Sequence, residues 1–362
     1  MKRISILSIT AILALAFASA AWATAFPITD VRALGMGGAF VAAGEGIGAV
    51  NYNPALLGKG ATAGVVVPEV VVRFEDHIGL VDLIDDIDNA VSVGDTNSII
   101  AILNELDEGG ATDINAYAGI GAGFGIFGIS GGITYASLIY GTAFPANINT
   151  DTSGPPGTGL TDPANNTLEL RGIEARQLIF SGAKSLGNII VGANMRTINA
   201  TTYTDSESLF SDPDIGLGDV TDGIESDESV VAWDVGAVMG LTSLMDVGIM
   251  ARDVGGTDLG VIEFDPRYRV GVAFYLPSLT IAGDYDISED DVGGTEYQEW
   301  AVGGEFDVWA IALRAGISNN PGFSGSPTLV HFGLGLGFMD IGAAYAEEGD
   351  YYMAGVNLNL GF

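Results

Sequence analysis

Over its C-terminal half the chain alternates, with a period of two, between large apolar residues and glycine or polar ones. Val231, Trp233, Val235, Ala237, Met239 and Leu241 form one series, with Asp234 and Gly236 between them. The pattern returns at Val270, Val272, Phe274 and Leu276 against Gly271, Ala273 and Tyr275, and again from Phe332 to Phe338. At the end, Val356, Leu358, Leu360 and Phe362 alternate with Gly355, Asn357, Asn359 and Gly361. Successive side chains of a strand point to opposite faces, so each segment reads as a strand with one greasy face and one small or polar face. Such strands suit a wall between an apolar exterior and a crowded or wet interior.

The same reading along the chain predicts 14 strands, at 61–75, 113–124, 127–142, 168–185, 188–204, 228–241, 244–254, 267–276, 278–287, 297–306, 308–317, 328–337, 339–346 and 351–361. Long polar linkers alternate with tight ones, the tight ones falling at Gly125–Ile126, Leu186–Asn188, Thr242–Ser243, Pro277, Asp307 and Asp340. This is the rhythm of an all-β fold, a closed antiparallel transmembrane β-barrel with both termini periplasmic and long loops outside. Closure removes sheet edges and satisfies the backbone within lipid. A soluble secreted β-sandwich or propeller also alternates, but gives no reason for the regular change of linker length.

Two stretches depart from period two. Residues 77–91 place Ile78, Val81, Ile84, Ile87, Asp88 and Val91 together at helical spacing, and a second amphipathic run follows at 98–109. They predict a helical extracellular loop over 77–109. At the other end, Lys2 and Arg3, an apolar stretch and Ala21-Trp22-Ala23 read as a signal peptide over 1–23. The predicted domains are thus the leader, an N-terminal segment over 24–60 and a barrel over 61–362. Outside the leader no run approaches the apolar length of a membrane helix.

Charge sharpens the picture. The formal net charge is −33, and loss of Lys2 and Arg3 with the leader makes it more negative still. With 13 Lys and Arg against 46 Asp and Glu, nucleic acid is excluded as a partner. Residues 210–230 carry seven carboxylates and no base, and a second acidic run holds Glu289, Asp290, Asp291, Glu296 and Glu299. These read as solvated loops, open at most to adventitious divalent cations, since their spacing is not that of an EF-hand. The absence of cysteine removes disulfides, thiolate metal sites and thiol nucleophiles, and two histidines make a histidine-rich metal site improbable. No cofactor is implied.

By alternation Arg196, Asp234, Asp284, Asp286, Glu305 and Arg314 share the small or polar face and point into the lumen. Charges there need partners or water, so they read either as an ion-pair network within the barrel or as a selective channel lining. Asp284 and Asp286 have no evident basic or nucleophilic companion for acid chemistry. Gly35-Met36-Gly37-Gly38 lacks the spacing of a phosphate loop, and no G-x-S-x-G, H-E-x-x-H or Walker sequence occurs. The chain is read as no enzyme.

The run from Arg32 to Ala42, which contains Gly35, Gly37 and Gly38, joined to Asn51-Tyr52-Asn53-Pro54-Ala55-Leu56, resembles the N-terminal region of FadL/PorV-like outer-membrane proteins, including the branch named for conjugal-transfer TraF. Arg269–Phe274, Leu279–Asp286 and Glu299–Phe306 extend the resemblance toward the C-terminus. The resemblance implies a 14-stranded barrel in the outer membrane of a Gram-negative cell, with an N-terminal hatch in the lumen. Asn53-Pro54-Ala55 matches the family's NPA hatch signature. A static plug and a gate that moves for substrate are both compatible with it. The thioredoxin-like TraF fold is set aside, because the chain has no cysteine and no alternating βα order.

The family's members differ in role. FadL-type proteins take up fatty acids and other hydrophobic compounds, and PorV-like ones support protein secretion. The leading expectation is passive transport of a small hydrophobic compound such as a fatty acid. The alternatives are a non-transporting barrel supporting secretion, conjugation or surface assembly, and a soluble secreted binding domain. Expected partners are outer-membrane lipid, the barrel-assembly machinery, and a hydrophobic ligand or secretion partner. Phe362, closing an alternating strand, is expected to serve as the assembly signal.

Overall fold

The computed structural model describes residues 28–60, 63–76, 79–107, 112–150, 165–210, 224–258, 263–288, 290–292, 295–321, 326–346 and 351–361. The predicted leader, most of the 210–230 acidic run, and Phe362 lie outside the described residues.

Fourteen strands form one closed antiparallel barrel. They are β1 (Ala63–Asp76), β2 (Thr112–Ile126), β3 (Ile129–Ala146), β4 (Thr167–Leu186), β5 (Ile189–Ser208), β6 (Ile224–Thr242) and β7 (Met245–Arg252). They continue as β8 (Arg267–Leu276), β9 (Leu279–Asp286), β10 (Trp300–Val308), β11 (Ile311–Asn319), β12 (Leu329–Gly335), β13 (Met339–Ala346) and β14 (Tyr351–Gly361). Each strand pairs with its sequence neighbours, and β14 closes on β1 from Gly64↔Gly361 to Phe74↔Tyr352, with a register shift between Val66 and Glu69.

Alternation sorts the faces as the sequence predicts. Val231, Trp233, Val235 and Leu241 are exposed on the outside, and Ala232, Asp234 and Val238 are buried inside. Two aromatic bands mark the outer surface. Tyr135, Trp233, Tyr268, Tyr285, Tyr345 and Tyr352 are exposed toward the long-loop end, and Phe124, Phe127, Phe274, Phe306, Trp309 and Phe338 toward the short turns. On β14 the outward run from Tyr352 to Leu360 spans, at about 3.4 Å per residue and a 40° tilt, roughly 21 Å along the axis, close to the roughly 25 Å apolar band of such barrels.

Three tight linkers differ from the sequence expectation. The first hairpin turns at Phe127 and Gly128 (φ 51° and 75°), and Gly125 and Ile126 belong to β2. Asp307 lies within β10, the turn falling at Trp309 (φ 60°). Asp340 lies within β13, the turn falling at Gly337 (φ 80°). A two-residue hairpin of the type seen at 127–128 needs positive φ at both positions. That requirement, rather than side-chain polarity, sets where the chain reverses.

The wall is uneven in height. Strands β3 to β6 run for 18, 20, 20 and 19 residues, whereas β7 has 8 and β12 has 7. Above the aromatic band the outer face of the tall strands turns polar, at Arg176, Asn199 and Ser229. The helices expected over 77–91 and 98–109, α2 (Leu80–Val93) and α3 (Thr96–Asp107), pack at the upper ends of β3 and β4 on Ala143, Leu168 and Leu170, which share the outward parity of Tyr135 and Phe180. Their buried face differs from the expected one: Leu80, Leu83, Ile87 and Ala90 are buried with Ile99, Leu103 and Leu106 against Leu168 and Leu170, whereas Val91 is exposed. Ile78 lies outside the described residues.

Candidate functional site

Residues 28–60 run through the barrel interior and are almost wholly buried. Asp30 caps a short helix, α1 (Val31–Gly35), its Oδ1 accepting from the Ala33 N–H at 2.9 Å. Gly37 and Gly38 then turn the chain with φ of 72° and 90°, which only glycine adopts freely. A β-carbon at Gly37 would also lie 2.9 Å from the Ile317 carbonyl oxygen. Past this turn the Phe40 and Val41 N–H groups both donate to Asp284 Oδ2, at 2.7 and 2.8 Å. The wall thereby supplies the acceptor that the irregular backbone lacks.

Asn53 is a junction. Its Oδ1 accepts from Ala55 N at 3.1 Å, capping the 3₁₀ turn Pro54–Gly58 that Pro54 starts. Its Nδ2 donates to the carbonyls of Val41, Ala237 and Ile249, at 3.0, 3.2 and 3.3 Å. One buried side chain therefore ties two parts of the N-terminal segment to β6 and β7. Ala55 and the Pro54 carbonyl lie where a β-carbon on Gly192 would be, and Asn53 stands likewise at Gly236. Gly192 and Gly236 are direct cross-strand partners, as are Gly248 and Gly271, Gly303 and Gly316, and Gly333 and Gly342. Paired glycines on the inner wall let the segment's backbone approach the strands directly.

The six lumen charges expected from alternation are all buried, but in separate groups. Arg196 binds Asp234 through Nε–Oδ2 and Nη2–Oδ1 contacts of 3.0 Å, and also reaches Asp253. Arg267 Nη2 meets Asp253 Oδ2 at 2.6 Å. Asp253 lies just past β7. Burial would raise its carboxyl, but Arg196, Arg267 and Arg252 outweigh this and hold it below the usual carboxylate range. Asp286 pairs with Arg269, whose Nη2 also donates to Glu299 at 3.0 Å. Glu305 accepts from Arg314 Nε at 2.5 Å and from Arg32, and Arg314 Nη1 reaches Asp340 at 2.5 Å. Asp284 serves the N-terminal backbone instead.

Several interior groups escaped the sequence reading. Arg252, Arg267 and Arg269 share the inward parity of Gly248 and Gly271, so the alternation carried that signal. Arg32 and Lys59 lie outside any strand and gave none. Lys59 Nζ donates to the Ala42 carbonyl at 2.9 Å, to Asp246 at 2.8 Å and to the Tyr275 hydroxyl at 2.8 Å. His331 is fully buried between the Leu34 carbonyl (Nδ1, 2.9 Å) and the Ser318 hydroxyl (Nε2, 2.8 Å). A carbonyl only accepts, so Nδ1 carries the hydrogen and Nε2 accepts from Ser318.

Two environments flank the N-terminal segment. Near the short turns a polar cavity of about 470 Å³ opens beside Arg32, Glu45, Glu305, Arg314 and Asp340. On the β2–β7 side Val41 meets an apolar wall of Tyr117, Leu138, Ile173, Ile198 and Met250. Among the described residues no three His, Asp or Glu side chains come together as a metal site.

This architecture resembles solved hydrocarbon transporters at low sequence identity. The toluene transporter TbuX from Ralstonia pickettii superposes with a TM-score of 0.60 at 12% identity, over 92% of this chain and 98% of that one. The CymD monoaromatic hydrocarbon channel gives 0.61 at 11% identity, over 94% and 99%. The P. putida toluene transporter TodX gives 0.53 at 12% identity, over 91% and 96%. No curated protein matches the chain in sequence. The likeness to these chains is one of fold, a closed antiparallel β-barrel. Residues 50–286 match the family model TraF_2, described as "F plasmid transfer operon, TraF, protein", and the chain belongs to that family.

Proposed function

We propose that this barrel passively conducts a small hydrophobic compound across the outer membrane, with its termini on the periplasmic side. The observation that carries this reading is the division of the lumen: an apolar wall around Val41 on one side of the N-terminal segment and a polar cavity beside Arg32 on the other. An apolar solute gains by leaving water for the first surface and is released toward the second. In this reading the N-terminal segment is the hatch and its movement gates passage. The hydrocarbon transporters of similar fold support the solute class, and a fatty acid or a monoaromatic compound fits it.

The test is entry of radiolabelled toluene and of a labelled long-chain fatty acid into proteoliposomes holding the purified barrel. Entry of either faster than into protein-free vesicles is expected. For both probes, entry no faster than into protein-free vesicles overturns the reading. The family's description as a plasmid transfer protein favours a second reading, a non-transporting barrel supporting conjugation, secretion or surface assembly. A stable protein partner retained through detergent pull-down, without solute entry, supports that alternative.

A further inference from the structure

Strand β6 is paired along its whole length on one side only. With β5 it pairs from Thr204↔Ile224 to Ile189↔Met239. With β7 it pairs only from Val235↔Ala251 onward. Beyond that point Val254 N–H donates to the Trp233 carbonyl, and among the described residues no strand of the barrel sheet pairs with β6 between Glu225 and Ala232 on this side. Backbone N–H and C=O of one residue point the same way in an antiparallel ladder. Trp233 faces the β7 side, so Asp227, Ser229 and Val231 present their backbone groups to the open edge. Ser226 faces β5, where its carbonyl accepts from Thr202 Oγ1.

The stretch Ser226–Ser229 stands above the lumen packing, which Val230 and Ala232 join. Ser226, Asp227, Glu228 and Ser229 are exposed in succession, so both faces of the strand meet solvent, whereas lower down β6 buries every other residue. Asp227 and Ser229 are hydrogen-bonded to Thr201 and Asn199 of β5, which holds the strand in ladder geometry. Asp227 and Glu228 make the edge acidic, with no base between Ile224 and Asp234. Two copies meeting here would set carboxylate against carboxylate. A basic segment would not.

We infer that the open edge of β6 over residues 225–232 is a docking strand, which takes an extended, lysine- or arginine-rich segment of another protein by β-strand addition. Main-chain hydrogen bonds supply the affinity and the carboxylates choose the charge. The inference is independent of whether the barrel conducts a solute.

The experiment uses the full-length barrel in detergent and a fluorescent peptide of about ten residues alternating Lys with Val or Thr, read by anisotropy. Saturable binding is expected, weakened about tenfold or more when alternate peptide amides are N-methylated, because methylation removes the ladder hydrogen bonds and keeps the charge. Ser229→Pro removes an edge N–H but no backbone bond to β5 and should weaken binding similarly, while Ser229→Ala, which loses the same Asn199 contact but keeps the N–H, weakens it far less. Heat-shifted migration on a gel establishes that each variant is folded, and the N-methyl comparison needs no variant. Absence of saturable binding, or equal binding of the methylated peptide, overturns the inference. Equal binding by folded Ser229→Pro does the same, as does loss only on Asp227→Lys/Glu228→Lys, which marks charge attraction alone.

Discussion

Arg32, in the N-terminal segment, grips Glu305 of strand β10 with two parallel hydrogen bonds, Nε to Oε2 at 2.7 Å and Nη2 to Oε1 at 2.5 Å. The two residues are 273 positions apart. The Arg32 guanidinium also lies over the Phe40 ring and meets Glu45, so one side chain links α1, the following turn and the wall. A two-point arginine–carboxylate pair fixes orientation as well as distance. Replacing Arg32 by Ala leaves Glu305 with Arg314 as its remaining partner. We expect a loss of about 1–3 kcal/mol in barrel stability. Arg32→Lys should recover only part of it, because an ammonium cannot match the fork. The unboiled band's unfolding midpoint in urea checks both.

The paired wall glycines make a sharper claim about the N-terminal segment. A β-carbon at Gly303 would fall on the Met36 carbonyl, backbone against backbone, and neither group is a flexible side-chain end. Gly303→Val is therefore expected to dislodge the segment while the strands still close, raising single-channel conductance in planar bilayers. Gly182→Ala faces open space and should leave conductance unchanged. Conductance of Gly303→Val equal to the parent's would show that the segment accommodates the side chain.

Asp30 should give the stability a pH slope. Burial raises its carboxyl above the ordinary value of 3.8; the Ala33 N–H opposes this and nearby Asp340 adds to it. The folded chain therefore favours the protonated acid more than the unfolded chain does. This contribution is fully present below pH 3.8 and is lost as pH rises through the raised folded value. Asp30→Asn keeps an acceptor for the Ala33 N–H and should flatten that part of the profile. Unfolding midpoints of the two proteins measured from pH 3 to 7 test the sign.

The helical pair over the tall strands should come loose without the barrel. Leu103 is fully buried among Leu80, Leu83, Ile87 and Leu170. Leu103→Ala should cost about 2–5 kcal/mol of local packing. Limited proteolysis of the reconstituted protein should then cut within α2 and α3 several-fold faster, with heat-shifted migration of the barrel preserved.

What the sequence determined by itself was the wall. Period-two alternation needs only the strand's own geometry, so it assigned faces correctly from Val231–Leu241 to Val356–Leu360 and counted the strands. It also gave Asp234, Asp284, Asp286, Glu305 and Arg314 an inward direction, since direction is a property of parity. The turns slipped by two or three residues at Gly125, Asp307 and Asp340, because a glycine or an acid looks like a loop residue when its neighbours across the barrel are unseen. Asp340 is inside because Arg314 is there to meet it.

The tertiary structure alone decided which charges share a partner, which glycines the N-terminal backbone lies against, and how far β6 outruns β7. Each depends on the register of strands far apart in the chain, and register is settled jointly around a closed ring. The Arg32–Glu305 pair exists because closure brings β10 beside α1, and no local spacing encodes that distance. The open edge of β6 likewise follows from the length of a different strand.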